Sequence, residues 1–162
     1  MKTLLIGMGN PILSDDAVGV RLARDIGRRL TGVPGLSIME ECSVGGLNIV
    51  ELLEGYDRAI ILDSIRTSGG VPGDWHRFTS VALRETMNLG NIHDVNFATA
   101  LELGRRMGME LPAEEDIHIF AVEALDLITF SETMTAPMEK AYPDFLEAIF
   151  REVEAILGSS PA

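Results

Sequence analysis

The sequence predicts a three-layer α/β/α fold, with a mostly parallel twisted sheet of about five strands, one antiparallel, and helices on both faces. Two observations carry this. Short apolar runs alternate with longer segments whose apolar residues recur every three or four positions, the pattern of strands joined by crossover helices. In addition, 162 residues with 46% hydrophobic content can bury a core of one ordinary domain without disulfide staples.

Each element has its own reason. Residues 4–7 are an apolar run ahead of a glycine-rich turn, as a buried parallel strand reads. A helix is expected from about 16 to 30, with Val18, Leu22, Ile26 and Leu30 on one face and Ser14 or Asp15 as its cap. Residues 36–41 alternate as a second strand, and 47–54 form a helix stopped by Gly55. The run Ala-Ile-Ile-Leu-Asp over 59–63 is a central strand, and a Gly/Pro loop at 68–73 leads to an edge strand at 75–79. A third helix over about 94–107 precedes a strand at 117–122. The last helix is expected to follow Pro143, with Phe145, Ile149, Val153 and Ile156 inward, because proline suits a first helical turn and not an interior. Residues 1–157 read as one domain and 158–162 as a disordered tail.

Charge narrows the function. With 13 Lys+Arg against 25 Asp+Glu, the net charge is −12, which argues against nucleic acid and against an anionic membrane as partner. The first apolar run is too short for a signal or spanning helix. One cysteine makes no intramolecular bridge and no thiolate-only metal site. A soluble, cytoplasmic protein is expected.

In an open parallel sheet the site lies beyond the carboxyl ends of the strands, where strand order reverses. A two-one-three order puts the loop 7–16 and the strand end at Asp63 beside that crevice. A dinucleotide fold is disfavoured. Ile12 stands where a third glycine belongs, Pro11 removes an N–H, and Asp15 and Asp16 would repel phosphate. Carboxylates facing one crevice repel, share a proton or hold a cation. Of three histidines, His76 reads as surface on an edge strand and His118 as core beside Phe120. His93 falls at a loop-to-helix junction on the same sheet edge. Two carboxylates and one imidazole suit nickel, zinc or manganese. The plainer readings are that Asp15 and Asp16 cap the first helix, Asp63 bonds loop amides, His93 caps the third helix and Cys42 fills space.

The opening Gly7-Met-Gly-Asn-Pro-Ile-Leu-Ser-Asp-Asp-Ala-Val-Gly-Val-Arg21 resembles that of the nickel–iron hydrogenase maturation proteases, which trim the C-terminus of the hydrogenase large subunit. The resemblance continues through Leu52-Leu-Glu-Gly-Tyr-Asp-Arg58, Ile60-Ile-Leu-Asp63, Gly69-Gly-Val-Pro-Gly73 and His93. It implies an endopeptidase whose metal-binding and catalytic residues are Asp16, Asp63 and His93, with Asp16 or Asp63 able to serve as base and Asp15 as a spare. The implied nickel comes with the precursor of the large subunit, although another divalent metal could occupy the site. The expected partner is that precursor, and the expected state is a monomer. The loop Cys42-Ser-Val-Gly-Gly46 departs from the family's Gly-Gly-x-x-Gly, which leaves open which hydrogenase is served. Two rivals are weaker. A peptidyl-tRNA hydrolase also has Gly-x-Gly-Asn-Pro after its first strand, but here no histidine follows before position 76 and the charge is wrong for tRNA. A non-catalytic metal- or peptide-binding chaperone on the same scaffold is separated by a cleavage assay.

Overall fold

A computed structural model describes residues 1–45, 47–80 and 92–159. Five strands form one sheet: β1 (Thr3–Met8), β2 (Leu36–Cys42), β3 (Arg58–Ile65), β4 (Trp75–Thr79) and β5 (Ile117–Glu123), in the order β2-β1-β3-β5-β4. The pairs β1–β2, β1–β3 and β3–β5 are parallel, whereas β4 runs antiparallel to β5. The predicted class and the two-one-three order are therefore what the chain adopts. Strands β1 and β5 are buried along their whole length, while the edge strands β2 and β4 are mixed. This is why β1 reads as a nearly continuous apolar run, and why β5 is mostly apolar apart from His118 and Glu123.

Side-chain alternation splits the core into two layers. Leu5, Ile60, Leu62, Phe120 and Val122 face helices α1 (Val18–Arg29) and α4 (Ala136–Gly158). Leu4, Ile6, Ala59, Ile61, Ile117 and Ile119 face α2 (Leu47–Leu53) and α3 (Ile92–Arg106). Helix α1 lies very close to the sheet. A Cβ on Gly19 would sit 2.3 Å from the Leu62 carbonyl oxygen and 2.4 Å from that of Met8.

Three boundaries differ from expectation. The first helix begins as a 3-10 turn at Ser14–Ala17, and the cap of α1 is Ala17, which makes no side-chain cap bond. Neither Ser14 nor Asp15 caps it. His93 is the second residue of α3 and does not precede it. Helix α4 starts at Ala136, with Pro137 in its first turn, and carries Pro143 in its interior. Pro143 is on the exposed face, so the Glu139 carbonyl left without its i+4 amide partner can turn to water. The helix end is clamped by Arg58, a buried side chain at the start of β3. It donates through Nη1 to the Ile156 carbonyl and through Nη2 to that of Ser159 (3.2 Å), while Nε stands 3.5 Å from Asp116 Oδ1.

Candidate active site

The chain leaves β1 toward β2 on one side and reaches β5 from β3 on the other, so the sheet's switch point lies between β1 and β3. A cleft of about 230 Å³ opens there, lined by Met8, Gly9, Asn10, Asp16, Cys42, Ser43, Val44 and Asp63. The two expected carboxylates thus come together, one from the loop after β1 and one from the end of β3.

Local packing fixes both. Gly9, with φ 125°, lies so close to the following turn that a Cβ would sit 1.9 Å from the Asp16 carbonyl oxygen. Its glycine serves the turn and not a phosphate. Asp16 Oδ2 accepts from the Asn10 amide (2.8 Å), and Oδ1 accepts from the Ser64 hydroxyl (3.1 Å). Asp63 Oδ1 accepts from the Ser64 amide (2.7 Å). Ser64 therefore ties the two carboxylates to a common neighbour, and both remain partly exposed to the cleft. Such acceptor-only oxygens, already oriented and facing one small space, are suited to a cation or to an attacking water.

Asp15, expected as a third acid of the crevice, is not part of it. It is fully buried and points to other partners. Its Oδ2 accepts from the amides of Leu125 (2.9 Å) and Asp126 (3.0 Å) and from the Thr135 hydroxyl (2.9 Å). Its Oδ1 accepts from the Thr135 amide (2.7 Å). Ser14, at φ 47°, is the only non-glycine with positive φ among the described residues. That left-handed residue sends two consecutive carboxylates to different partners, Asp15 to the loop before α4 and Asp16 to the cleft.

The remaining candidates fall as follows. Cys42, the last residue of β2, is buried and contributes to the cleft wall. His118 is buried on the face of Phe120, as expected, and its Nδ1 has no hydrogen-bond partner. Burial holds its imidazole below its ordinary range, with Arg77 and Arg58 adding to the effect and Asp116 opposing it. His76 is half exposed on β4, yet its Nε2 lies 3.2 Å from Glu123 Oε1. The His93 side chain and Gly46 lie outside the described residues, and among the described residues no three His, Cys, Asp or Glu groups cluster to hold a metal. The backbone of α3 does bear on His93. This helix leads into the amino end of β5, and Glu110, just beyond it, receives the Gly55 amide ahead of β3. A helix running antiparallel to the strands from that end carries its first turn, with His93, toward the opposite edge of the sheet.

Sequence reasoning missed a further buried carboxylate. Glu123, at the end of β5, accepts from the Thr67 amide (3.1 Å) and hydroxyl (2.5 Å). A Cβ on Gly70 would stand 2.1 Å from Glu123 Oε2. Gly70 in the loop after β3 is thus required by a carboxylate more than fifty residues away, whereas its neighbour Gly69 meets nothing and answers to its positive φ of 77°.

A doubly wound sheet with paired carboxylates at its switch point is the architecture of a small α/β enzyme or metal binder. The profile of the hydrogenase maturation protease family, HycI, matches residues 20–152, most of the chain, and the protein belongs to that family. Asp63 and His93 fall inside the match and Asp16 just before it. The chain is 27% identical over 164 residues to the hydrogenase 2 maturation protease of Escherichia coli, covering 96% of each. Its fold is shared with the hydrogenase maturating endopeptidase HybD of E. coli (TM-score 0.75, 21% identity, 96% of this chain and 93% of that one). It is shared too with the [NiFe] hydrogenase maturation protease HycI of Thermococcus kodakarensis (TM-score 0.68, 20% identity, 98% and 93%).

Proposed function

We propose that the protein is an endopeptidase that removes the C-terminal extension of the nickel-loaded large subunit of a nickel–iron hydrogenase. In this reading Asp16, Asp63 and His93 recognise the nickel carried by the precursor. The observation that supports it most is the convergence of Asp16 and Asp63 on one small cleft at the switch point of a maturation-protease fold. The donor set is oxygen and nitrogen, which suits a borderline divalent ion.

The nickel is part of the substrate, and its charge polarises a peptide carbonyl held beside it. The chain's own groups do the rest. Asp16 is oriented by the Asn10 amide and Ser64 hydroxyl, so it meets the incoming cation without a rotamer search. Asp63, held by the Ser64 amide, provides the second oxygen donor. In this reading one of the two changes role from nickel ligand to base and accepts a proton from the attacking water. Recognition through the substrate's metal ties proteolysis to completed metal insertion. In this reading the protein acts as a monomer in the cytoplasm. Among the described residues no helix is long and apolar enough to cross a membrane.

The test replaces Asp16, Asp63 and His93 singly by Ala and follows release of the C-terminal fragment from nickel-loaded precursor. Each variant is expected to lose cleavage by about a hundredfold or more, as loss of a metal-engaging group commonly does, with an unchanged circular dichroism spectrum. Folded variants that cleave at the wild-type rate would refute the site.

A further inference from the structure

The loop between β5 and α4 carries the sequence Leu125-Asp-Leu-Ile-Thr-Phe130. Ile128 and Phe130 are each 80% exposed and Leu125 is 47% exposed; Ile12, from the loop after β1, is 46% exposed. Single exposed apolar residues are ordinary, but several large ones on one small region mark an interaction site.

Two observations bear on what covers them. The loop is held firmly in this exposed form. Asp15 receives four hydrogen bonds from it and from Thr135, and Asp126 Oδ1 accepts from the Ile128 and Thr129 amides at 3.0 and 2.9 Å. The patch is also continuous with the cleft. Ser131 donates its amide to the Ile12 carbonyl (2.9 Å) and accepts from the Ser14 amide (3.0 Å). Ile12 is two residues beyond Asn10, which is part of the cleft wall.

We propose that Ile12, Leu125, Ile128 and Phe130 form the docking face for an apolar surface of the folded large-subunit precursor, next to the cleft that takes its C-terminal extension. The proposal rests on the function given above. A second copy of this chain on Ile12, two residues from the cleft residue Asn10, would compete with a substrate for the approach to the cleft. A substrate docked there instead brings its own extension to the carboxylates. The rigid staple through Asp15 fixes the distance between docking face and cleft.

The test titrates wild type, Ile128→Ser and the double variant I128S/F130S with purified nickel-loaded precursor. Affinity is read by interferometry, cleavage by mass spectrometry and oligomeric state by light scattering. The double variant is expected to bind the precursor on the order of tenfold more weakly or worse, with the loss falling on KM and not on kcat. The single variant, matched to wild type in its thermal melt, is expected to lie between. Asp16→Asn, which alters the cleft and not the face, is expected to lose cleavage through kcat, in contrast to the KM effect of I128S/F130S. A wild type that binds without cleaving overturns the proposed function, while the affinity loss in I128S/F130S still supports docking. Wild-type affinity and KM in the folded double variant overturn the docking face. So does a wild-type dimer that I128S/F130S converts to monomer at unchanged KM, since the face would then belong to a second copy.

Discussion

At the scale of single residues, the two neighbouring acids Asp15 and Asp16 divide structure from chemistry. Position in the chain is enough to bring Asp16 and Asp63 to one crevice, because strand order alone dictates which ends meet. The role of Asp15 is not legible in the same way. Its partners Leu125, Asp126 and Thr135 lie 110 to 120 positions away, and only the folded chain brings them near. Asp15→Asn puts an amide where Asp15 meets four donors, leaving at least one buried donor unpaired. It is expected to cost about 2 kcal/mol of stability, measured by urea denaturation; a change under about 0.5 kcal/mol would contradict the staple. His118 offers a second test. Its imidazole titrates lower when folded than its ordinary 6.5, so the unfolded chain binds more protons there as the pH falls below that value. Stability contributed by neutral His118 is then present above about pH 6.5 and declines below it. His118→Gln is expected to flatten this part of the stability–pH curve, whereas an unaltered slope would assign the decline to other groups.

At the scale of elements, apolar periodicity locates most helices and strands, since buried runs and helical stripes are written locally. Helix α4 is the exception. Pro143 signals a start, yet the true start is seven residues earlier at Ala136, where Pro137 takes the first turn. A proline inside a helix is tolerated where its orphaned carbonyl faces water, and sequence periodicity does not say which face that is. The buried face carrying Met138, Tyr142, Phe145, Leu146 and Ile149 spans the proline and holds both halves together. Pro143→Ala restores the missing amide and raises helix propensity, offset in part by a freer unfolded chain. A gain of roughly 1–2 kcal/mol is expected, read as a higher Tm; a lower Tm would mean that the proline itself is needed for packing on α1.

At the scale of the whole molecule, the net charge of −12 excludes partners more readily than it names one. Asp16 and Asp63 are a small part of that excess, drawn into the cleft by topology, while Asp15 and Glu123 are consumed as loop staples. Composition is blind to this division because all four are the same kind of acid. The apolar loop near the cleft is equally hidden in sequence; only the exposure of Ile128 and Phe130 shows that it faces outward. Together the cleft and this face make an account in which a folded precursor is recognised broadly and its metal locally. The central claim is that nickel in the precursor licenses cleavage. It is tested most directly by incubating the purified protein with nickel-loaded and nickel-free precursor and following fragment release. The account predicts cleavage of the loaded form and none of the nickel-free form; equal cleavage of both would contradict it.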